Sequence, residues 1–586
     1  MKIRRLFAAL LALALVAIAC GDDEQDQAPA ATQAPATTQA MAEPEETTTT
    51  QAMAEPEETA TTQAMAEPEE TTTTQAMAEP EPAGPTGTLT VALPTFGKEV
   101  FDPSIGTSLE KSIYGPMYDF FVGLSQNGEE SAEGGALESW EMAPDGMSWT
   151  LTLHPNMTWH DGTPITSADT KFSFERYAEE TATCSRCQAL KTILGSIDVI
   201  DDLTVTVNFN SPNPALLGDL TAAQGDIPIL PKAYYQSVGT DGFNAAPIGS
   251  GPFKFVEHKV GEEIVYEANL DYWNQDRLPA FERLVIEVVP ESLSRLALVE
   301  TGDVDLALME PQVVGNIRDA GLRVGGPKAI ATVMAALAHS YEPHFEMSNE
   351  EFRKAVILAV DKAALIGAIY PEGTAIPAAS LINVPTHLGY DPDLEPRPYD
   401  PDESRRIIAA NGWEGTPVTL YSWSTWSSIP ELPTLMEAIA GYLDAVGLDP
   451  VIKPVDYTAI RPNLLRLEGN TITDPNPIHG WFVTSTGAFE TLVRIGLLAH
   501  ADGGLYGAYH DAATVDRVYD TMSAEIDLAK RGELAAEFNQ AVYDTWGLLP
   551  IAVTDSIWAI GPGVADWRPT NFTPSDYRFE TATPAS

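Results

Sequence analysis

Met157-Thr-Trp-His-Asp-Gly-Thr-Pro-Ile-Thr-Ser-Ala-Asp169 decides how the chain around it folds. Upstream, Trp149, Leu151 and Leu153 alternate with polar residues, the period-two pattern of a half-buried strand. Thr166 and Asp169 then form a capping box, in which each end can satisfy a free backbone donor of the other. It opens a helix carrying Phe174 and Tyr177. Downstream, Leu203, Val205, Val207 and Phe209 alternate again. Strands punctuated by a capped helix make this stretch mixed α/β.

The pattern extends in both directions. Leu89, Val91 and Leu93 read as a strand, as do Leu284 to Val289 and Val418 to Leu420. Asn349 caps a helix that puts Phe352, Ala355, Val356, Ala359 and Val360 on one face. Asp400-Pro401-Asp402-Glu403 opens another, closed by Asn411-Gly412. Strands dominate before about residue 310 and helices after it. The expected class is α/β in a mixed α+β arrangement, not a simple doubly wound sheet. A chain of 586 residues is too long for one core, and 44% hydrophobic content excludes wholesale disorder. A net charge of −51 leaves no room for the basic stripe of a nucleic-acid binder.

The first 86 residues differ in kind. Lys2, Arg4 and Arg5 precede an apolar run from Leu6 to Ala19 that is too short to span a bilayer, the layout of a secretory signal over residues 1–19. Residues 20–87 carry 15 acids and no base. Within them Gln-Ala-Met-Ala-Glu-Pro-Glu-Glu-Thr-Thr-Thr-Thr starts at Gln39 and recurs, with small changes, at Gln51, Gln63 and Gln75. One large apolar residue per unit cannot offset the entropy of ordering, so 20–86 reads as a disordered tether. Residues 21–86 would reach about 45 Å as a coil.

Several blocks resemble one family. Ala17-Ile18-Ala19-Cys20 is similar to the lipobox of bacterial lipoproteins, which implies lipidation of Cys20 and a membrane anchor. The Met157–Asp169 segment, Leu137-Glu-Ser-Trp140 with Asp145 to Leu151, Val199 to Val205 and Ser211-Pro-Asn-Pro214 resemble the peptide/nickel-type solute-binding proteins, family 5, of ABC importers. So do Gly249-Ser-Gly-Pro-Phe253, Asn269-Leu-Asp-Tyr-Trp273, Gly302-Asp-Val-Asp305 and Phe352-Arg-Lys-Ala-Val356. The resemblance implies a periplasmic-binding-protein-like two-lobed clamp. Its discontinuous first domain would comprise 87–124, 227–330 and 545–586, with 125–226 as an extra inserted second domain and 331–544 as the third. It also implies an extracytoplasmic protein that is no enzyme and needs no cofactor. Its partners would be a small-molecule or peptide ligand, a permease and its ATPase subunits.

Peptide-binding members often place an aspartate three residues after a Trp late in the chain; here Trp481 is followed by Thr484. That exchange removes a charge-assisted contact worth about 1.5–3 kcal/mol. Tyr421, Trp423 and Trp426 form an aromatic cluster that is either ligand surface or core. The expected cleft is lined by these three with Trp481, Thr484 and Tyr114, an uncharged lining that leans against an anionic solute. Cys184-Ser-Arg-Cys187 has no second cysteine pair for zinc and reads, outside the cell, as a local disulfide. His339, His344, His479, His500 and His510 lack metal-ligand spacing, and His160 in its Asp-Gly turn reads as structural. No nucleophile elbow or P-loop is present, which weighs against a secreted hydrolase on the same fold. A surface sensor or adhesin would use the same clamp without a transporter.

Overall fold

The structure is a computed structural model. It describes residues 84–585 except 107–109, 185, 224, 226, 339–347, 372, 386, 423–430, 456–479, 488–512 and 572–575. The signal segment, Cys20 and nearly all of the tether lie outside the described residues, as do Trp423, Trp426 and the five histidines set aside above.

Among the described residues the body carries three main sheets. The largest has seven strands, in the order Arg323–Gly325, Ile557–Ile560 (β8), Leu306–Met309 (β3), Thr88–Leu93 (β1), Arg283–Val288 (β2), Glu263–Ala268 and Phe253–Lys259. β1 is central and runs parallel to both neighbours, pairing Thr88 with Arg283 and Val91 with Leu306. The second has six strands, in the order Ala375–Pro377, Leu548–Thr554 (β7), Ala331–Ala338 (β4), Gly480–Gly487 (β6), Pro417–Ser422 (β5) and Asp449–Pro454. β5 is parallel to both of its neighbours, and β4 is antiparallel to β6 and β7. A four-stranded antiparallel sheet spans Leu137–Met142, Ser148–Leu153, Thr204–Phe209 and Leu194–Val199.

The cores follow the sheets. One apolar cluster gathers Leu89, Leu151, Phe174, Val205, Leu284 and Trp558; another gathers Val333, Phe352, Val356, Leu420, Met436 and Phe538. The region after 310, read as helix-rich, therefore builds a full sheet between its helices. The final strand pair also departs from expectation. β7 falls inside the 545–586 span expected in the first domain, yet it is hydrogen-bonded in the six-stranded sheet. All seven of its residues are buried, which suits an interior strand covered on both faces. After β7 the chain changes sheet at Asp555-Ser556, and β8 pairs with β3.

Local signals hold closely. Thr166 and Asp169 form the capping box of the helix Ser167–Tyr177. Asn349 accepts hydrogen bonds from the Glu351 and Phe352 amides, opening Glu350–Leu358 (α2). Asp400 caps Pro401–Asn411, which ends on left-handed Gly412 at φ 70°.

The family-like turns pack on one another. His160 donates its backbone N–H to the Gly249 carbonyl, its Nδ1 accepts from the Gly249 amide at 3.1 Å, and its Nε2 donates to the Gly251 carbonyl at 3.0 Å. Burial pushes its pKa down to about 4, so the imidazole is neutral and both nitrogens are used. A Cβ on Gly249 would lie 1.9 Å from the Met117 carbonyl oxygen, so the close approach admits only glycine. Next to it, buried Asp119 accepts from the Tyr272 hydroxyl at 2.6 Å and the Trp273 indole at 3.0 Å. These motifs are joinery for the first lobe.

Candidate ligand-binding cleft

The site is defined by how the chain passes between the two large sheets. It crosses twice, at Gly326–Ile330 and at Asp555-Ser556, and the crossings are bonded side by side. Ser556 donates to the Pro327 carbonyl at 2.9 Å, Ile330 to the Thr554 carbonyl at 2.8 Å, and Ala329 to the Asp555 carboxylate at 2.9 Å. Lys328 completes the pair with an ion pair to Asp555 at 2.8 Å. In the register of both sheets these crossings leave from one end. Gly325 lies opposite Trp558 and Ile557 opposite Met309; Ala331 lies opposite both Gly487 and Thr554. That end is, in each sheet, the carboxyl end of the parallel strands, where open α/β sheets form their ligand crevices.

On the first lobe, Arg295 organises this edge from the helix Ser292–Thr301 (α1). It is 1% exposed and donates to the carbonyls of Leu308 at 2.6 Å and of Val289 and Pro290 at 2.7 Å. It thereby ties the ends of β2 and β3, and its remaining nitrogen holds both oxygens of Glu310 at 2.9 Å. On the second lobe, β5 ends at Ser422, β6 carries Thr484 three residues before its last, and Glu431 stands at the N-cap of the helix Leu432–Ala445 (α4). The hydroxyl of Tyr370, at the end of the helix Lys362–Ile369 (α3), donates to Glu431 Oε1. Glu431 is 4% exposed, and its Oε2 has no hydrogen-bond partner among the described residues. Burial raises its pKa to about 7 against the lowering effects of the Tyr370 hydroxyl and of its own backbone amide, and the negative charge of Glu310 adds to the rise.

The residues expected at the cleft divide. Trp481 shares its face of the sheet with Leu337 and Leu420 and packs among Val356, Met436, Ile439 and Leu443. It is a core residue, because β6 lies between two strands and helices cover that face. Tyr421 is 8% exposed in the same core, with Lys453 Nζ 5.6 Å from its ring centre. Tyr114 is fully buried in the first-lobe core, edge-on to Tyr118 at 5.8 Å, so it presents no ring to an opening. Thr484 lies on the sheet face opposite Trp481, 1% exposed, its hydroxyl without a partner among the described residues. The Trp481 indole nitrogen, on the other face, is likewise without a partner among the described residues.

Other features are accounted for. Cys184 and Cys187 are joined in a disulfide. A pocket of about 700 Å³, open mouth included, lies on the first lobe among Lys111, Glu133, Arg277, Arg578 and Glu580. Its charges are spent internally: Arg277 pairs with Glu580 at 2.6 Å, and Lys111 donates to the Ala222 and Gly225 carbonyls. Among the described residues no group of three metal-ligating side chains occurs, and no helix is long and apolar enough to cross a membrane. Glu431 was missed in the sequence because an acid one residue after a proline before an apolar helix reads as an ordinary exposed helix start.

Known proteins resemble both sequence and fold. Heme-binding protein A of Haemophilus influenzae is 28% identical over 343 residues, covering 53% of this chain and 60% of its own. The dipeptide-binding protein of Escherichia coli is 25% identical over 352 residues, covering 54% and 62%. The chain thus spans about 60% of the length of these curated relatives. Among solved structures, the ABC-transporter substrate-binding protein CtaP of Listeria monocytogenes superposes with a TM-score of 0.72 at 18% identity, over 86% of this chain and 100% of its own. DppA of Helicobacter pylori, solved with the peptide STSA, gives 0.71 at 21% identity, over 86% and 98%. Residues 132–485 match the family model for the middle region of the bacterial extracellular solute-binding proteins, family 5, and the chain belongs to that family.

Proposed function

We propose that the protein is the extracytoplasmic substrate-binding component of an ABC importer. It closes two lobes over a small organic solute or peptide and hands it to a membrane permease driven by ATPase subunits. The observation that carries this reading is the double crossing at Gly326–Ile330 and Asp555-Ser556, which joins two sheets at their carboxyl edges. Such a joint permits hinged closure, and a solute that prefers the closed state shifts the population toward it. The domain division stays as read from the sequence, with its last boundary moved from 545 to 555. Residues 1–19 act as a secretory signal, Cys20 carries the lipid and 20–86 tether the body.

The test is native mass spectrometry of the secreted protein for a co-purified solute, followed by tryptophan fluorescence on adding that solute back. A saturable change at one solute per chain supports the reading; a solute consumed and released as product would point to an enzyme. For the anchor, Cys20→Ser should release the protein from membranes or block processing. A variant that stayed bound and normally processed would remove the lipid from the account.

A further inference from the structure

Thr484 leaves the proposed cleft without the acid that would hold a charged nitrogen there. Another acid lies at the same edge. Glu431 is buried and carries one oxygen satisfied by Tyr370 and one without a partner among the described residues. A half-satisfied buried carboxylate is costly, and a native structure retains one where something else completes it. The neighbouring groups define what that is. Tyr370, from the end of α3, offers its proton to Oε1 and nothing to Oε2. From the other lobe comes Glu310, also negative, whose own cation Arg295 is committed to it and to three backbone carbonyls. A neutral donor would satisfy the free oxygen, whereas a cation would also offset the burial and the negative charge of Glu310 that oppose ionisation of Glu431.

Resting on the solute-binding reading above, we infer that Glu431, oriented by Tyr370, anchors a positively charged nitrogen, a protonated amine or a guanidinium, on the captured solute. The placement suits closure. The anchor stands at the N-cap of a second-lobe helix, so a solute held there is engaged from the second lobe before the first closes on it. It would supply, from a helix N-cap, the kind of contact that Thr484 cannot make.

The experiment uses the full-length secreted protein with agmatine, spermidine and trialanine as probes, each at about 1 mM, read as a shift in melting temperature. At about pH 8 at least one probe should raise the wild-type midpoint by about 4 °C or more. The effect should vanish in Glu431→Gln, which preserves shape and the acceptor for Tyr370. It should weaken by about tenfold in apparent affinity one pH unit below the Glu431 pKa, because the proton must first leave. Calorimetry near neutrality should show proton release on binding. A probe effect that survives in Glu431→Gln, or no effect from any of the three, overturns the inference. A neutral co-purified solute that binds wild type and Glu431→Gln alike overturns it too, yet leaves the solute-binding reading standing. Absence of any solute, charged or neutral, would count against both.

Discussion

The turn around His160 and the cleft edge around Glu431 are both buried, polar and built where strands give way to loops, yet they are finished to different degrees. At the turn both ring nitrogens of His160 are bonded and Asp119 collects a hydroxyl and an indole donor. At the edge, Glu431 Oε2 and the Thr484 hydroxyl have no partner among the described residues. A polar cluster that closes its own hydrogen bonds stabilises the fold and has nothing left for a ligand. One that does not is held in place by its surroundings. The segments that resemble the family most closely, around His160 and Gly249, sit in the first kind of region, so strong motif resemblance marks the frame, not the proposed site.

Breaking the frame should have the largest effect. Gly249→Ala puts a Cβ 1.9 Å from the Met117 carbonyl oxygen, with the Tyr118 ring 3.1 Å away. The expected loss exceeds about 4 kcal/mol, seen as absent or early cooperative unfolding in urea. A near-wild-type midpoint would mean the junction is slack.

The two buried titratable groups should then pull stability in opposite directions with pH. His160 titrates at about 4 in the folded protein, against 6.5 for an unperturbed histidine. Between those values the unfolded chain binds more protons, so stability is lost as pH falls, by on the order of 3 kcal/mol. Glu431 titrates at about 7 when folded, against 4.5 when unperturbed. Here the folded state holds the extra proton, so stability falls as pH rises through that interval, again by on the order of 3 kcal/mol. Melting curves from pH 4 to 8 should therefore flatten on the acid side in His160→Gln and on the neutral side in Glu431→Gln. Identical curves for Glu431→Gln and wild type would show that the edge is as satisfied as the turn.

Smaller still, replacing Cys184 and Cys187 by Ser opens a short loop in the unfolded chain and should cost about 2 kcal/mol. Deleting residues 28–82 should be the mildest change, shifting the midpoint of the body by less than about 5 °C. A larger shift would mean that the repeats pack on the body.

Much of the frame was legible in the sequence because its signals are local. The Thr166–Asp169 capping box, the Asn349 and Asp400 caps and the alternation at Leu203–Phe209 each depend on residues within one turn or one strand. The sheet exchange was not legible. Leu548–Thr554 and Ile557–Ile560 are two apolar runs separated by Asp555-Ser556, and nothing in either run says that they pair with different sheets. The cleft was legible only in outline. Aromatic residues have the same composition in a core as in a binding site, and Trp481 lies in the core because β6 is interior to its sheet. Glu431 shows the converse, since the Tyr370 hydroxyl that meets it comes from 61 residues away in the chain.

The central place of β1 has a mechanical consequence. The strand begins at Thr88, directly after Gly87, and lies parallel to hydrogen-bonded neighbours on both sides. A pull transmitted through Gly87 runs along that strand and loads its flanking ladders together in shear, instead of opening them one rung at a time. The body would resist most strongly a pull from its N-terminal side, and tension arriving from that direction would be borne by the seven-stranded sheet before it reached the joint between the lobes.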